Sequence, residues 1–516
     1  MANITPDLEK ARQRICKIAE DVGLDFFETI FELVKYNELN AIAARGGFPV
    51  RYPHWRWGMD YEQLSKGYEY GLSKIYELVI NTNPCYAYLM EGNEFVDQKL
   101  VMAHVYGHCD FFKNNQWFSQ TDRKMIDTMA NHATRIRRYI DSYGIDVVED
   151  FIDKCLSIDN LIDIHGTYRK KNPNLEEHRE VPQSDEESQK NLYVTRDYME
   201  AYLNPEAPKR EMNPNMEGLR RVPEQPVRDV MSFLIHHAPL PEWQQDIMSI
   251  IRDEALYFAP QGMTKIMNEG WASYWHSRLM TEKIANDGEI IDFADRHSGT
   301  MAMSPGGFNP YKVGIELFRD IERRWNMGQF GKEWNECTDL KERKNWDREL
   351  GQGREKIFQV RRDYNDVTFI DEFLTEEFCV KNRMFVYRFN KRTGQFEVDT
   401  RDFPLIKKKF LFQLTNFGQP IINVIDANFR NRSELLLGHI FEGIELQPNF
   451  LEATLKNVQA IWKRPVNLAT VMDEEARIFT FDGREFITTP FSELPVGEGQ
   501  KDKPSEKDKK DLAKKP

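Results

Sequence analysis

Apolar positions along residues 6–80 recur at helical spacing, with Ile15, Ile18, Ala19 and Val22 on one face and Phe26, Ile30, Phe31 and Val34 continuing the period. The pattern predicts two or three helices, broken near Gly46 and Pro53. Residues 84–90, PCYAYLM, change to a short β-like run. Glu91, Gly92 and Asn93 then supply a turn and N-cap for a helix over about 94–112.

The period is lost over residues 169–227, which are rich in Pro, Asn, Glu and Lys around PQSDEESQK. A long exposed insertion is expected there, with one short helix near Tyr198. Helical spacing returns at 242–257 and 263–286, separated by Pro260, Gln261 and Gly262, and again at 313–325. After Cys379 the texture alternates. Residues 384–389, 420–424 and 434–441 read as strands, 450–462 as a helix, and 477–480 with 485–489 as a hairpin around Asp482 and Gly483.

The expected fold class is therefore α+β, in five parts: a helical part with a strand over 1–168, the polar insertion over 169–228, a second helical part over 229–380, a small α+β domain over 381–495, and a disordered tail over 496–516 whose last residues are Lys, Asp and Pro with almost nothing apolar. A chain of 516 residues with 41% hydrophobic and 30% charged positions supports more than one core.

Charge and cysteine usage narrow the function. The net charge is -13 and no basic stripe interleaves with aromatics, so nucleic acid is a poor partner. No phosphate-cradling glycine motif stands between a strand and a helix. The longest apolar runs, such as 421–425, are too short to cross a bilayer, and the N-terminus is polar, with Asp7 and Glu9; neither a membrane span nor a secretory signal is expected. Six cysteines (Cys16, Cys85, Cys109, Cys155, Cys337 and Cys379) lie far apart without a CxxC pair, which suits a reducing cytoplasm.

His104 and His108 stand four apart in AHVYGHCDFF, so both imidazoles leave one helix face a turn apart and can converge on one ion. Two packed or solvated helix-face histidines would give the same spacing. A second helix, IMNEGWASYWHSRLM, carries Glu269 among apolar neighbours; a carboxylate buried there must be paired or bound to metal, and it is the third ligand a two-histidine zinc site needs. His276 is seven residues from Glu269, about 10.5 Å along a helix, too far to share its ion directly. His236, His237 and His54 read as structural. A di-iron site is excluded, since none of the eleven histidines has a Glu three residues before it.

HxxGH followed by EGWAxY resembles the glutamate-zincin metallopeptidases, and HSGTMAMSPGGFNPYKVGIELF is similar to their oxyanion-stabilising segment. That resemblance implies a zincin-like domain holding zinc or another divalent metal through His104, His108 and Glu269, with catalytic roles for His297 and Tyr311. HVYGHCDFFKNNQWF, NEGWASYWHSRLM and NPYKVGIELFRDIERRW together resemble the SpoVR (stage V sporulation protein R) family, over about residues 24–468. Membership implies a sporulation or stationary-phase stress setting, with a PrkA-like serine protein kinase and a von Willebrand A-like protein as partners. One position departs from the peptidase pattern: the glutamate after the first histidine is Val105, which can neither accept nor donate a proton. A metal-dependent amide hydrolase with a base relocated to Glu254, Asp110, His276 or His297, and an inactive metal-stabilised scaffold, both remain open.

Overall fold

The computed structural model describes residues 4–69, 77–169, 222–303, 307–390 and 392–490. Most of the expected polar insertion, Tyr198 included, and the C-terminal tail lie outside them. The chain divides into two compact units, Met1–Val148 with Leu256–Gly418 and Glu149–Ala255 with Gln419–Pro516.

In the first unit, α1 (Pro6–Asp21) starts at Pro6 with Thr5 accepting from the Leu8 amide, and buries Leu8, Ile15 and Ala19. The expected helical continuation is instead a strand, β1 (Thr29–Val34). Its side chains at 29, 31, 33 and 34 are buried, and a short apolar run of this kind fits either period until a partner strand decides it. Helices α2 (Tyr36–Ala44) and α3 (Trp55–Glu69) follow, separated as expected after Gly46, whose φ of 72° ends α2 in the left-handed region. Strands β2 (Leu78–Ile80) and β3 (Cys85–Met90) complete a sheet of order β1-β3-β2, with β1 parallel and β2 antiparallel to β3.

From β3 the chain turns into α4 (Phe95–Asn114), in which every residue of 96–112 is buried. A helix buried on all sides belongs in the middle of a core, not on its surface. The later helix Glu242–Met263 runs through Pro260, so the break expected at 260–262 falls at Thr264, whose hydroxyl donates to the Pro260 carbonyl at 2.7 Å. Helix α5 (Lys265–Leu279) is buried almost throughout. Its first turn is capped from a distance: the Asp366 carboxylate accepts from the amides of Ile266 and Met267 at 2.8 and 2.9 Å. Helices α6 (Ile290–Thr300), α7 (Pro310–Met327) and α8 (Gly353–Asp363) complete the surroundings.

Two glycine contacts set how closely these helices approach. A Cβ on Gly107 would lie 2.7 Å from the Ala272 Cα, and one on Gly270 would lie 2.4 Å from the Gly314 Cα. Backbone therefore meets backbone between α4 and α5 and between α5 and α7. The hairpin of β4 (Val386–Asn390) and β5 (Gln395–Thr400) and the helix Phe403–Leu414 also fall in this unit, so its boundary at Gly418 comes later than the change of texture near Lys381.

The second unit is built on a five-stranded sheet of order β10-β9-β8-β7-β6: β6 (Ile422–Phe429), β7 (Glu434–His439), β8 (Val466–Met472), β9 (Glu475–Phe481) and β10 (Phe486–Pro490). Only β7 and β8 pair in parallel, joined by the helix Pro448–Trp462. The central strand β8 has five consecutive buried residues and no alternation, so the sequence pattern does not mark it. The β9–β10 hairpin turns at Asp482 and Gly483 as expected. The fold is α+β, and no helix among the described residues is long and apolar enough to cross a membrane.

Candidate metal centre

Because α4 presents His104 and His108 from one face and Gly107 lets α5 approach backbone to backbone, both imidazoles meet Glu269. His104 Nε2 lies 3.5 Å and His108 Nε2 3.4 Å from Glu269 Oε2. A fourth group joins them: Glu77, just before β2, places Oε2 3.0 Å from His104 Nε2. The donor atoms of Glu77, His104, His108 and Glu269 all lie within 4.8 Å of one another. The two histidines and Glu269 are buried, whereas Glu77 is partly exposed.

This arrangement fits a divalent cation on two grounds. His104 Nε2 and Glu269 Oε2 are shielded from solvent, and neither has a well-directed hydrogen bond. Buried polar atoms without partners are costly, and a shared cation would satisfy both. The histidine tautomers point the same way. Asn268 Oδ1 sits 2.8 Å from His108 Nδ1 and can only accept, so Nδ1 carries a proton and Nε2 is the nitrogen turned to the cluster that a cation would engage. Two imidazoles and a carboxylate are a donor set that suits zinc.

Charge around the cluster is balanced by its own members and by Lys265. Burial opposes ionisation of Glu269, but the imidazoles of His108 and His104 and the ammonium of Lys265, 2.5 Å from Oε1, hold it well below the usual carboxylate range. Burial likewise opposes charge on His104, and the carboxylates of Glu77 and Glu269 outweigh it and raise the ring to about 9. Behind His104, its Nδ1 lies 2.7 Å from His276 Nδ1, and His276 Nε2 lies 3.0 Å from His297 Nδ1. Burial, followed by the charge of His104, keeps His276 neutral; burial with Arg319 and Lys312 lowers His297 to about 4.

The residues singled out from sequence thus separate by place. His104, His108 and Glu269 come together. Tyr311 reaches the cluster by donating its hydroxyl to Glu77 Oε1 at 3.0 Å. Burial and that carboxylate keep the phenol protonated. His276 backs His104 from the side away from the donor atoms, and His297 stands one imidazole further out. Glu254 is buried in the helix Glu242–Met263, in the other compact unit, and is not part of the cluster. Asp110 is turned to Trp271 Nε1 at 2.7 Å, the Asp25 amide at 2.8 Å and Arg361 at 3.4 Å. Val105 is fully buried.

Sequence reasoning missed Glu77. It has no fixed spacing to either histidine, and its position depends on the antiparallel pairing of β2 with β3. The buried run leading into α4 marks β3 but says nothing of its neighbour.

Comparison with known proteins divides the chain near residue 419. Residues 3–419 match the family described as SpoVR like protein, and residues 420–473 match the SpoVR-like C-terminal domain. The chain belongs to the SpoVR-like family. The junction of the two matches falls within one residue of the structural boundary after Gly418. Every member of the candidate metal cluster lies in the SpoVR-like region proper. The chain is also similar to the uncharacterized protein YcgB of Escherichia coli (strain K12), 30% identical over 481 residues that cover 87% of this chain and 88% of that protein. No solved structure matches.

Proposed function

We propose that this SpoVR-like protein binds one divalent ion, zinc, through His104, His108 and Glu269, and hydrolyses amide bonds in the manner of a zinc peptidase. The observation that carries the reading is the spacing of the three donors. An ion with bonds of about 2.0–2.1 Å in tetrahedral geometry sets its ligand atoms about 3.3–3.4 Å apart. Glu269 Oε2 stands 3.4 and 3.5 Å from the two imidazole nitrogens. The ion would supply Lewis-acid polarisation of a substrate carbonyl. The chain's own residues hold it, orient His104 through His276 and His108 through Asn268, and exclude water from one side by the buried residues 96–112 of α4.

A second reading rests on Glu77. As a fourth protein ligand it would close the site, as in structural zinc centres, and the protein would be a metal-stabilised scaffold acting with a PrkA-like kinase and a von Willebrand A-like protein in stress or sporulation. Either role suits the cytoplasm, where its six free thiols persist.

The test is elemental analysis of gently purified protein alongside assays on peptide and murein-peptide substrates. About one zinc per chain is expected, with loss of the metal in His104→Ala and Glu269→Gln and hydrolysis that depends on it. Less than about a tenth of a metal per chain in the wild type would refute the metal reading.

A further inference from the structure

We propose that Glu77 is the catalytic carboxylate that the peptidase pattern lacks at position 105. The inference rests on the metal-hydrolase reading above and assigns its missing proton acceptor. Val105 is fully buried, so α4 offers no acid–base group where the pattern places one. Of the four carboxylates and imidazoles in the cluster, Glu77 alone is partly exposed; Glu269 keeps only 6% of its side chain accessible against 23% for Glu77.

Its contacts differ from those of Glu269. Glu77 Oε2 lies 3.0 Å from His104 Nε2, closer than the 3.4 and 3.5 Å edges that Glu269 makes to the two imidazoles. Its other oxygen, Oε1, is engaged by the Tyr311 hydroxyl at 3.0 Å, which fixes the carboxylate plane and leaves Oε2 directed at the cluster. Tyr311 is then a positioning residue for Glu77. In the reaction, the oxygen of a water bonds to the amide carbonyl carbon as its proton passes to Glu77 Oε2. As the C–N bond breaks, that proton moves to the departing amine nitrogen, so the carboxylate is regenerated and no redox partner is needed.

The full chain, loaded with cobalt(II) in place of zinc, tests this with acetohydroxamic acid as probe. The probe chelates a metal through two oxygens and gives a proton to a neighbouring acceptor. Wild type and Glu77→Gln should both hold about one cobalt per chain, His104→Ala should hold almost none, and the visible spectrum should report probe binding about tenfold or more weaker in Glu77→Gln. Loss of cobalt from Glu77→Gln would make Glu77 a ligand and overturn the proposal while sparing the metal site. A wild-type spectrum indifferent to the probe would mean a closed site and overturn it equally. So would retention of cobalt in Glu77→Gln with affinity within about twofold of wild type. Failure of wild type itself to take up cobalt would instead refute the metal reading on which this one depends.

Discussion

His104 concentrates the chemistry of single residues, because it answers to two carboxylates on one nitrogen and an imidazole on the other. In the metal-free chain its ring is raised to about 9, whereas coordination needs it neutral. Zinc uptake at pH 7 should therefore release about one proton, read by calorimetric titration in two buffers of different ionisation heat. A release near zero would contradict the raised ring. A histidine raised above its ordinary 6.5 stabilises the metal-free fold fully below that value and loses the contribution as pH rises through about 9. The melting temperature of chelated protein should accordingly fall between those values. His276→Ala, which removes the group behind His104 without touching a donor atom, should weaken metal binding by about 10–100-fold, measured by competition with a chromogenic chelator. His104 and His108 were legible in the sequence as a pair because helical spacing puts them on one face, and Glu269 because its apolar neighbours mark a buried carboxylate. Glu77 was not, since only tertiary pairing brings it there.

Between elements, the decisive feature is how near α4, α5 and α7 come to one another. The glycines of HVYGH, NEGWA and KVGIEL are the residues that permit it, so their motifs describe helix packing as much as chemistry. Gly107→Ala places a methyl 2.7 Å from the Ala272 Cα, where the obstacle is backbone and cannot swing aside. The helices must separate, at a cost on the order of 1–3 kcal/mol in denaturant titration, and metal occupancy should drop with them. Gly92→Ala is the control: nothing lies within 4 Å of its Cβ position, and a change within about 0.5 kcal/mol is expected. Equal effects of the two would remove close packing as the explanation. The strands were harder to read than the helices. Val466–Met472 has five consecutive buried residues and shows no period-two alternation, while Thr29–Val34 alternates only in burial, with Ile30 and Glu32 partly exposed, and its run of apolar residues fits either period.

At the scale of the whole chain, all four members of the cluster belong to the unit formed by Met1–Val148 and Leu256–Gly418, though more than 150 residues separate His108 from Glu269. The change from helical to alternating texture was visible in sequence, but contacts decide a boundary, and the hairpin Val386–Asn390 with Gln395–Thr400 joins the helical unit despite its strand pattern. An ion that ties α4 to α5 stabilises only states in which both helices are in place, by RT ln(1 + [metal]/Kd), or about 4 kcal/mol at a thousandfold excess over Kd. Hydrogen exchange reports that stabilisation locally, because amides protected by metal-linked structure exchange faster once the metal is gone. Chelation of the full-length protein should therefore speed exchange in peptides from Phe95–Asn114 and Lys265–Leu279 by one to several orders of magnitude, while peptides from the sheet of β6 to β10 keep their rates. An equal acceleration in Val466–Met472 would mean that the ion holds the entire chain together, and the assignment of the metal centre to one unit would fall.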